Sequence, residues 1–451
     1  ALSRSFVFSQ YTFSFSVSPS PLSTASNITI TSSISSLFIA VVLLGACAES
    51  KDAVVEPVPD HQTTPSNECI FVQGRNMMLP NSTIPFIVKG VSLDGWLSAD
   101  ASVYGLSATA SPWQMDLAFK QLFGPYATAN FWNIVKNNYI TEDDIKAIAS
   151  MGFNTVRVPL DYRLFSDVDY MGEVKSSNKF NILDRLFGWC RDAGLYVILD
   201  MRGTPGGQTD DGRDNGFGYP WLLTDRTYQS EFIKIWSAIA SQYRNEKQLL
   251  GYELIDAPLS DASDALANAS SALEPLYIRT MKAMRSVDAN HIIIFDGANA
   301  GTDFSGFSHF DLEDNVVYAC QTTNIADIEQ QMQEFVTFRE TKSGWPLLMT
   351  HATITDASQA AQLTSSSVKN NVGYIVGPYK GTGNNAIATI QVPNGWESVK
   401  TFVNADKSSY SLLYQARNAS KVSGDVLENF AAATKLANCT KQNDLIQQLV
   451  K

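Results

Sequence analysis

The sequence predicts an α/β protein built on a closed parallel barrel of eight strand–helix units. Two observations predict it: short β-branched runs recur eight times between Phe86 and Val376, and longer segments of helical period separate them. A third is negative, since no glycine-rich phosphate fingerprint follows the first run, which disfavours the doubly wound open sheet as the runner-up. The expectation is therefore a (β/α)8, or TIM, barrel occupying residues 68–451 as a single domain.

The runs are Phe86–Leu93, Asn154–Pro159, Leu195–Met201 and Leu249–Ile255, then His291–Asp296, Asn315–Cys320, Pro346–Thr350 and Val372–Val376. Each is nearly all apolar, as strands buried on both faces of a parallel sheet must be. Between them, Thr141-Glu-Asp-Asp144 resembles a capping box opening a helix with Ile145, Ile148 and Ala149 on one stripe. Leu183–Cys190, Tyr228–Tyr243 and Ile325–Thr341 carry the same helical spacing. Residues Ser98 to Tyr139 form a long insertion after the first strand, and a helical tail follows about Ser409.

Composition sets the class: 45% hydrophobic and 17% charged residues describe a globular chain. Acidic residues outnumber basic ones by 45 to 33, for a net charge of −12, which disfavours nucleic acid and anionic lipid as partners. Four histidines and five cysteines, with no CxxC or HExxH spacing, predict no metal and no cofactor. Residues 1–48 read as a signal or targeting segment with a fragmentary start. The apolar run Leu37–Ala46 is too short to span a bilayer, so no transmembrane span is expected. Ala46-Cys47-Ala48 fits signal-peptidase cleavage and Leu44-Gly45-Ala46-Cys47 fits a lipobox, although no Lys or Arg directly precedes the run; a buried strand in an N-terminal extension is the alternative. The polar stretch 49–67 reads as a linker. These features predict a secreted or cell-surface protein, with a lipid anchor at Cys47 as one form of it. Cys69 and Cys439 flank the folded region and are paired in this expectation, whereas Cys190 and Cys320 fall in apolar segments that suit buried free thiols.

In such a barrel, chemistry sits at the C-terminal ends of the strands. Read there, Gly90-Val-Ser-Leu-Asp-Gly-Trp-Leu97, Tyr139-Ile-Thr-Glu-Asp-Asp-Ile145 with Gly152-Phe-Asn-Thr-Val-Arg-Val-Pro159, and Leu199-Asp-Met-Arg-Gly-Thr-Pro-Gly-Gly-Gln208 with Asp214-Asn215 stand in strand order. Over Pro85 to Lys380 the chain resembles glycoside hydrolase family 5, and within it the fungal-type exo-β-1,3-glucanases. That resemblance implies retaining hydrolysis of β-glucosidic bonds, with one Glu closing the fourth strand as acid and base and another closing the seventh as nucleophile.

Both glutamates are replaced. Ala257 stands at the acid/base position and His351 at the nucleophile position. Other positions that the resemblance marks have changed as well. Asp256 replaces an Asn, Arg202 a His, Gln321 and Thr323 a His-x-Tyr, and Gly377 a sugar-stacking Trp, leaving Arg157 as the family has it. Loss of general acid and nucleophile removes about 5–8 kcal/mol of transition-state stabilisation. The expected protein is therefore a catalytically inactive relative, a pseudoenzyme, with no catalytic residue. It binds β-glucan or another polysaccharide, with Trp96, Tyr219 and Trp221 as stacking candidates, or contacts a protein partner. The alternative is a hydrolase with a non-standard site around Asp256 and His351. Within the pocket, Glu253 is expected to neutralise a buried cation such as Arg157, and Asp256 to pair with Arg202.

Overall fold

The computed structural model describes residues 68–106, 111–166, 179–209, 214, 217–259, 267–312, 315–322, 325 and 328–451. The expected signal segment with Cys47, the linker 49–67 and the pocket candidate Thr323 lie outside the described residues.

Eight strands close a barrel in chain order: β1 (Lys89–Ser92), β2 (Thr155–Asp161), β3 (Tyr196–Gly203), β4 (Leu249–Glu253), β5 (Ile292–Asp296), β6 (Val316–Thr322), β7 (Leu347–Ala352) and β8 (Gly373–Val376). All neighbours are parallel, and the ring shuts where Tyr374 of β8 lies opposite Lys89 of β1. Every expected run contains a strand. β1 starts later than its apolar run because the Phe86 N–H donates to Met77 O at 2.7 Å, tying that residue to a floor hairpin instead. β6 and β7 run further than expected, which brings Gln321 and His351 into the strands themselves.

The two faces of the strands fill two cores. Ile198, Leu250, Ile292, Ile294, Val317, Leu348 and Ile375 gather inside the ring. Ile70 and Met77, from the antiparallel hairpin Phe71–Gln73 and Asn76–Met78, join them and plug its N-terminal end. Opposite faces, such as Val156, Val197 and Leu199, pack outward on the helices. Strand approach is tight: a methyl at Gly251 would stand 2.5 Å from the Ile292 carbonyl oxygen, which excludes any larger residue there.

The long insertion is two helices, Pro112–Phe123 and Pro125–Asn138. Phe119 stacks on Trp132 at 5.4 Å, and Trp396 on Phe430 at 3.9 Å, in one aromatic layer joining the insertion to the tail. Trp96 is sealed beneath it, 5% exposed, with its indole N–H donating to Lys136 O at 2.8 Å. Trp96 therefore packs the insertion and is corrected from a sugar-binding candidate to a core residue. Helix Glu142–Met151 starts as expected, the Thr141 N–H donating to Asp144 Oδ2 at 2.9 Å. The segment expected as one helix over Ile325–Thr341 is Ile328–Phe338 followed by a π-turn, Arg339–Ser343. Helices Ala267–Arg285 and Ala357–Asn370 were not singled out in the sequence, the first carrying Pro275 inside it.

The helical tail opens with Trp396–Asn404, before Ser409, and continues through Tyr410–Ser420, Val426–Ala433 and Asn443–Leu449. Cys69 and Cys439 do not pair; the four described cysteines are all free. Cys69 lies beside His291, Sγ to Nε2 3.5 Å, while Cys439 sits in a tail strand, Cys439–Lys441, with Sγ 3.4 Å from Lys435 O. Different local partners hold the two thiols, so the expected staple is corrected. Cys190 and Cys320 are buried free thiols as expected. Among the described residues no helix is long and apolar enough to cross a membrane.

Candidate active site

Alternate residues of a strand face the same side, so the inward positions above the apolar core form a polar layer. Arg157 of β2, Asp200 of β3, Glu253 of β4 and Asp296 of β5 meet there, all fully buried. Arg157 donates a forked pair to Glu253, Nε to Oε2 at 2.7 Å and Nη2 to Oε1 at 2.8 Å, as the sequence led us to expect. Its Nη2 also reaches Asp256 Oδ1 at 2.7 Å and lies 3.1 Å from Asp200 Oδ2. The carboxylates of Asp200, Glu253 and Asp256 converge within 4.8 Å, a spacing a metal ion would accept. The Arg157 guanidinium supplies the positive charge among them.

Asp256 follows β4 in a turn fixed by its own N–H to Met201 O at 3.1 Å. Gln321 of β6 bridges the layer, donating through Nε2 to Asp256 Oδ1 at 2.6 Å and to Asp296 Oδ2 at 3.0 Å. Burial would push the Asp256 carboxyl up, but Arg157, Arg202 and the Gln321 hydrogen bond outweigh it and hold Asp256 well below the usual range. Asp200 and Asp296 go the other way: burial raises both, and neighbouring carboxylates add to it, against the pull of Arg157. Asp256 is thus a fixed anion, and the two deeper aspartates favour the protonated form.

Above this layer opens a cavity of about 850 Å³ lined in part by Asp94, Arg202, Asp256, Ala257, Gln321 and His351. Arg202 of β3 donates Nη2 to Asp100 Oδ2 at 2.6 Å; its Nη1 stands 3.5 Å from Asp256 Oδ2 and 3.7 Å from Asp94 Oδ1. The expected pairing of Asp256 with Arg202 is therefore the longer contact, because Arg157 approaches Asp256 from below and Asp100 draws Arg202 toward the β1 loop. Ala257 adopts φ 44° and donates its N–H to Asp296 Oδ2 at 3.2 Å. His351 places Nε2 at 3.7 Å from Asp94 Oδ2. A methyl on Gly377 would come within 2.5 Å of that same oxygen and 2.8 Å of His351 Nε2, so those two groups fill the space beside the backbone there.

Sequence reasoning missed Asp94, Asp100, Asp200, Asp296 and Gln208. Asp94 and Asp200 lay inside the quoted motifs and Asp296 closes a strand, which was the available signal. Gln208 bonds the Arg202 and Asp256 carbonyls through Nε2 at 2.5 and 3.1 Å and so ties two strand ends together. Of the stacking candidates, Tyr219 and Trp221 are 39% and 45% exposed, and their rings lie 4.6 Å apart on the segment after β3.

Chemically, a retaining glycosidase needs a protonated carboxyl and a carboxylate facing each other across the scissile bond. A methyl and an imidazole stand at the two positions that the resemblance assigns to them, and Asp256 is committed to Arg157 and Gln321.

The family model described as Cellulase (glycosyl hydrolase family 5) matches residues 118–419. Among curated proteins, a beta-xylosidase of Phanerodontia chrysosporium is 28% identical over 235 residues, 52% of this chain and 47% of the relative. Endoglucanase C of Acetivibrio thermocellus is 29% identical over 40% of this chain and 49% of its own length. A probable glucan endo-1,6-beta-glucosidase B of Aspergillus flavus is 28% identical over 47% and 57%. The chain spans about half the length of the curated relatives it matches. Among solved structures, an endogalactoceramidase superposes with a TM-score of 0.54 at 14% identity, covering 82% of this chain and 84% of that one. A rutinosidase from Aspergillus niger gives 0.51 at 15% identity, over 64% and 89%. At such identities these two likenesses concern the fold.

Proposed function

This chain belongs to glycosyl hydrolase family 5, and from that premise we propose that it is an exported, non-hydrolytic member that binds a polysaccharide of the β-glucan type. One observation carries the reading. The cavity at the strand ends has Ala257 and His351 where the resemblance requires two glutamates, and its central carboxylate, Asp256, is held ionised by Arg157, Arg202 and Gln321. An acid that stays ionised has no proton to give a leaving oxygen, and a methyl carries none. The same commitment weighs against a hydrolase run by Asp256 and His351, since a carboxylate held well below its usual range by Arg157 and Arg202 is a weak base.

Binding is supported by what the cavity retains. Its volume of about 850 Å³ suits an oligosaccharide, and Asn299, Gln321 and Asn385 line it with side-chain amides suited to sugar hydroxyls. Tyr219 and Trp221 offer exposed rings for stacking. Export rests on the apolar run Leu37–Ala46 and the cleavage pattern behind it.

The test uses the purified protein with laminarin and aryl β-glucosides. Reducing-sugar release at background, together with retarded migration in β-glucan gels, is the expected pair of results. Turnover that vanishes on changing His351 or Asp256 would overturn the non-hydrolytic reading, and unretarded migration would overturn the binding one.

A further inference from the structure

Among the described residues, another cavity opens beside the polar one, and its chemistry is the opposite. It lies outside the ring, between helix Ile328–Phe338 and the outward faces of β6 and β7. Cys320 and Met349 lie opposite each other on those strands, and with Phe304, Phe335 and Phe338 they give it an apolar wall. Gln331, Phe335 and Phe338 recur at helical spacing, so one helix face supplies part of that wall and one polar end. Close-packed interiors leave few voids larger than a water molecule, yet this groove measures about 270 Å³. At its rim Glu334 and Lys342 carry opposite charges, so it favours a neutral occupant.

Thr302, Gln321 and Gln331 line this groove and the polar cavity alike, which makes the two spaces neighbours. They meet where the β6–β7 ladder shifts register after Cys320; Cys320 faces the groove, while Gln321 turns to Asp256 and Asp296. Size and lining identify the occupant. An apolar cavity of about 150 Å³ accepts benzene, so about 270 Å³ accepts a bicyclic group. Phe304 and Phe338 stack at 4.3 Å, and Phe335 stands 5.5 Å from Phe304, tilted by 56°. Ring faces and edges, with the sulfur atoms of Cys320 and Met349, favour an aromatic guest over a saturated one.

We propose that the saccharide taken here is a β-glucoside bearing an aromatic substituent, with its sugar units in the polar cavity and a bicyclic ring system in the groove beside helix Ile328–Phe338. The proposal rests on the saccharide-binding reading and narrows it, since an unsubstituted glucan leaves the groove empty. A ring tethered to a bound sugar enters the groove without a second loss of translational freedom. The shared side chains Thr302, Gln321 and Gln331 mark where the link between sugar and ring crosses from one space to the other.

Calorimetric titration of the full chain separates the outcomes, with methyl, octyl and naphthyl β-laminaribiosides, free naphthol and laminarihexaose as probes. The naphthyl laminaribioside is expected to bind about ten- to a hundredfold tighter than the methyl one, as burial of one Phe-sized group allows. It should also exceed the octyl laminaribioside by about threefold or more, and free naphthol by about tenfold or more. Thr337→Trp sets a bulky ring on the rim of the groove, and Phe338→Leu removes an aromatic wall while staying apolar. In Thr337→Trp the naphthyl advantage should fall to within about threefold, and in Phe338→Leu by about threefold or more, while laminarihexaose affinity persists in both. No advantage of naphthyl over methyl, with laminarihexaose still bound, overturns this proposal and leaves saccharide binding standing. Octyl laminaribioside or free naphthol binding as tightly as the naphthyl glycoside overturns it too, as does an advantage that survives both variants. No binding of any saccharide probe overturns both readings.

Discussion

Arg157 and Glu253 face each other across the barrel interior with two parallel hydrogen bonds of 2.7 and 2.8 Å, neither side chain exposed to solvent. Removing one partner of such a pair strands the other charge in a dry interior. Glu253→Gln is expected to destabilise the fold by about 3–5 kcal/mol, read from chemical denaturation. Arg157→Met should cost a comparable amount, because Glu253 and Asp256 then lose their shared cation. A loss below about 1 kcal/mol in both would remove this pair from the list of structural determinants.

Restoring the two glutamates is not expected to restore hydrolysis. Ala257 lies at φ 44°, a conformation that favours glycine and asparagine over glutamate, and its N–H is engaged by Asp296. His351 stands beside Asp94, so a carboxylate at 351 would face another at close range. The doubly substituted Ala257→Glu/His351→Glu protein should release aryl glucoside at the background rate.

Gly377→Trp, which returns the aromatic that the resemblance places there, should destabilise rather than add affinity. The first added carbon already lies 2.5 Å from Asp94 Oδ2 and 2.8 Å from His351 Nε2. Overpacking of this kind costs about 1–3 kcal/mol. A lower thermal midpoint with no gain in glucan retardation is the expected result.

His291 gives stability a dependence on pH. Its Nδ1 bonds Asp288 Oδ2 at 2.7 Å and its Nε2 bonds the Glu246 carbonyl at 2.9 Å, so both ring nitrogens act as donors and the ring is an imidazolium. Burial opposes the charge, but Asp288 and Cys69 raise the group to about 9, against 6.5 for an ordinary histidine. Tyr252 donates to the same Asp288 oxygen at 2.6 Å, and Arg285 caps the adjoining carbonyls of Asp288 and His291. A raised folded value means stability fully present below about pH 6.5 and lost as pH rises through about 9. Denaturation midpoints should fall over that window, and His291→Gln should flatten the fall.

Tyr219→Ala and Trp221→Ala test the rim. Both side chains are more than half covered, so each truncation should cost folding stability about 0.5–1.5 kcal/mol. Glucan affinity should drop by about 0.5–1.5 kcal/mol per ring in gel retardation or calorimetry. Unchanged affinity in the double variant would take the rim out of the binding surface.

The barrel was legible because strands buried on both faces must be apolar throughout, and β3 and β5 were so to within one or two residues. Helix Ala267–Arg285 escaped notice because its interior proline and mixed composition mask the period. In the site, motif spacing located Arg157, Arg202, Asp256 and His351, and the Arg157–Glu253 pair followed from two inward positions on neighbouring parts of the ring. What one dimension withheld was which arginine Asp256 would choose, since that depends on Asp100, a residue of the β1 loop, reaching over to claim Arg202. Trp96 misled for the same reason: whether a loop tryptophan faces ligand or core is decided by the insertion helix packed over it.

The seam between β8 and β1 joins Tyr374 to Lys89, two segments separated by most of the folded chain. A ribosome must therefore deliver the chain as far as Val376 before the ring can shut, and the first strand waits with one edge unpaired until it does. A chain interrupted before Gly373 would keep two bare edges, at Lys89–Ser92 and Leu347–Ala352, and would be prone to self-association during biosynthesis.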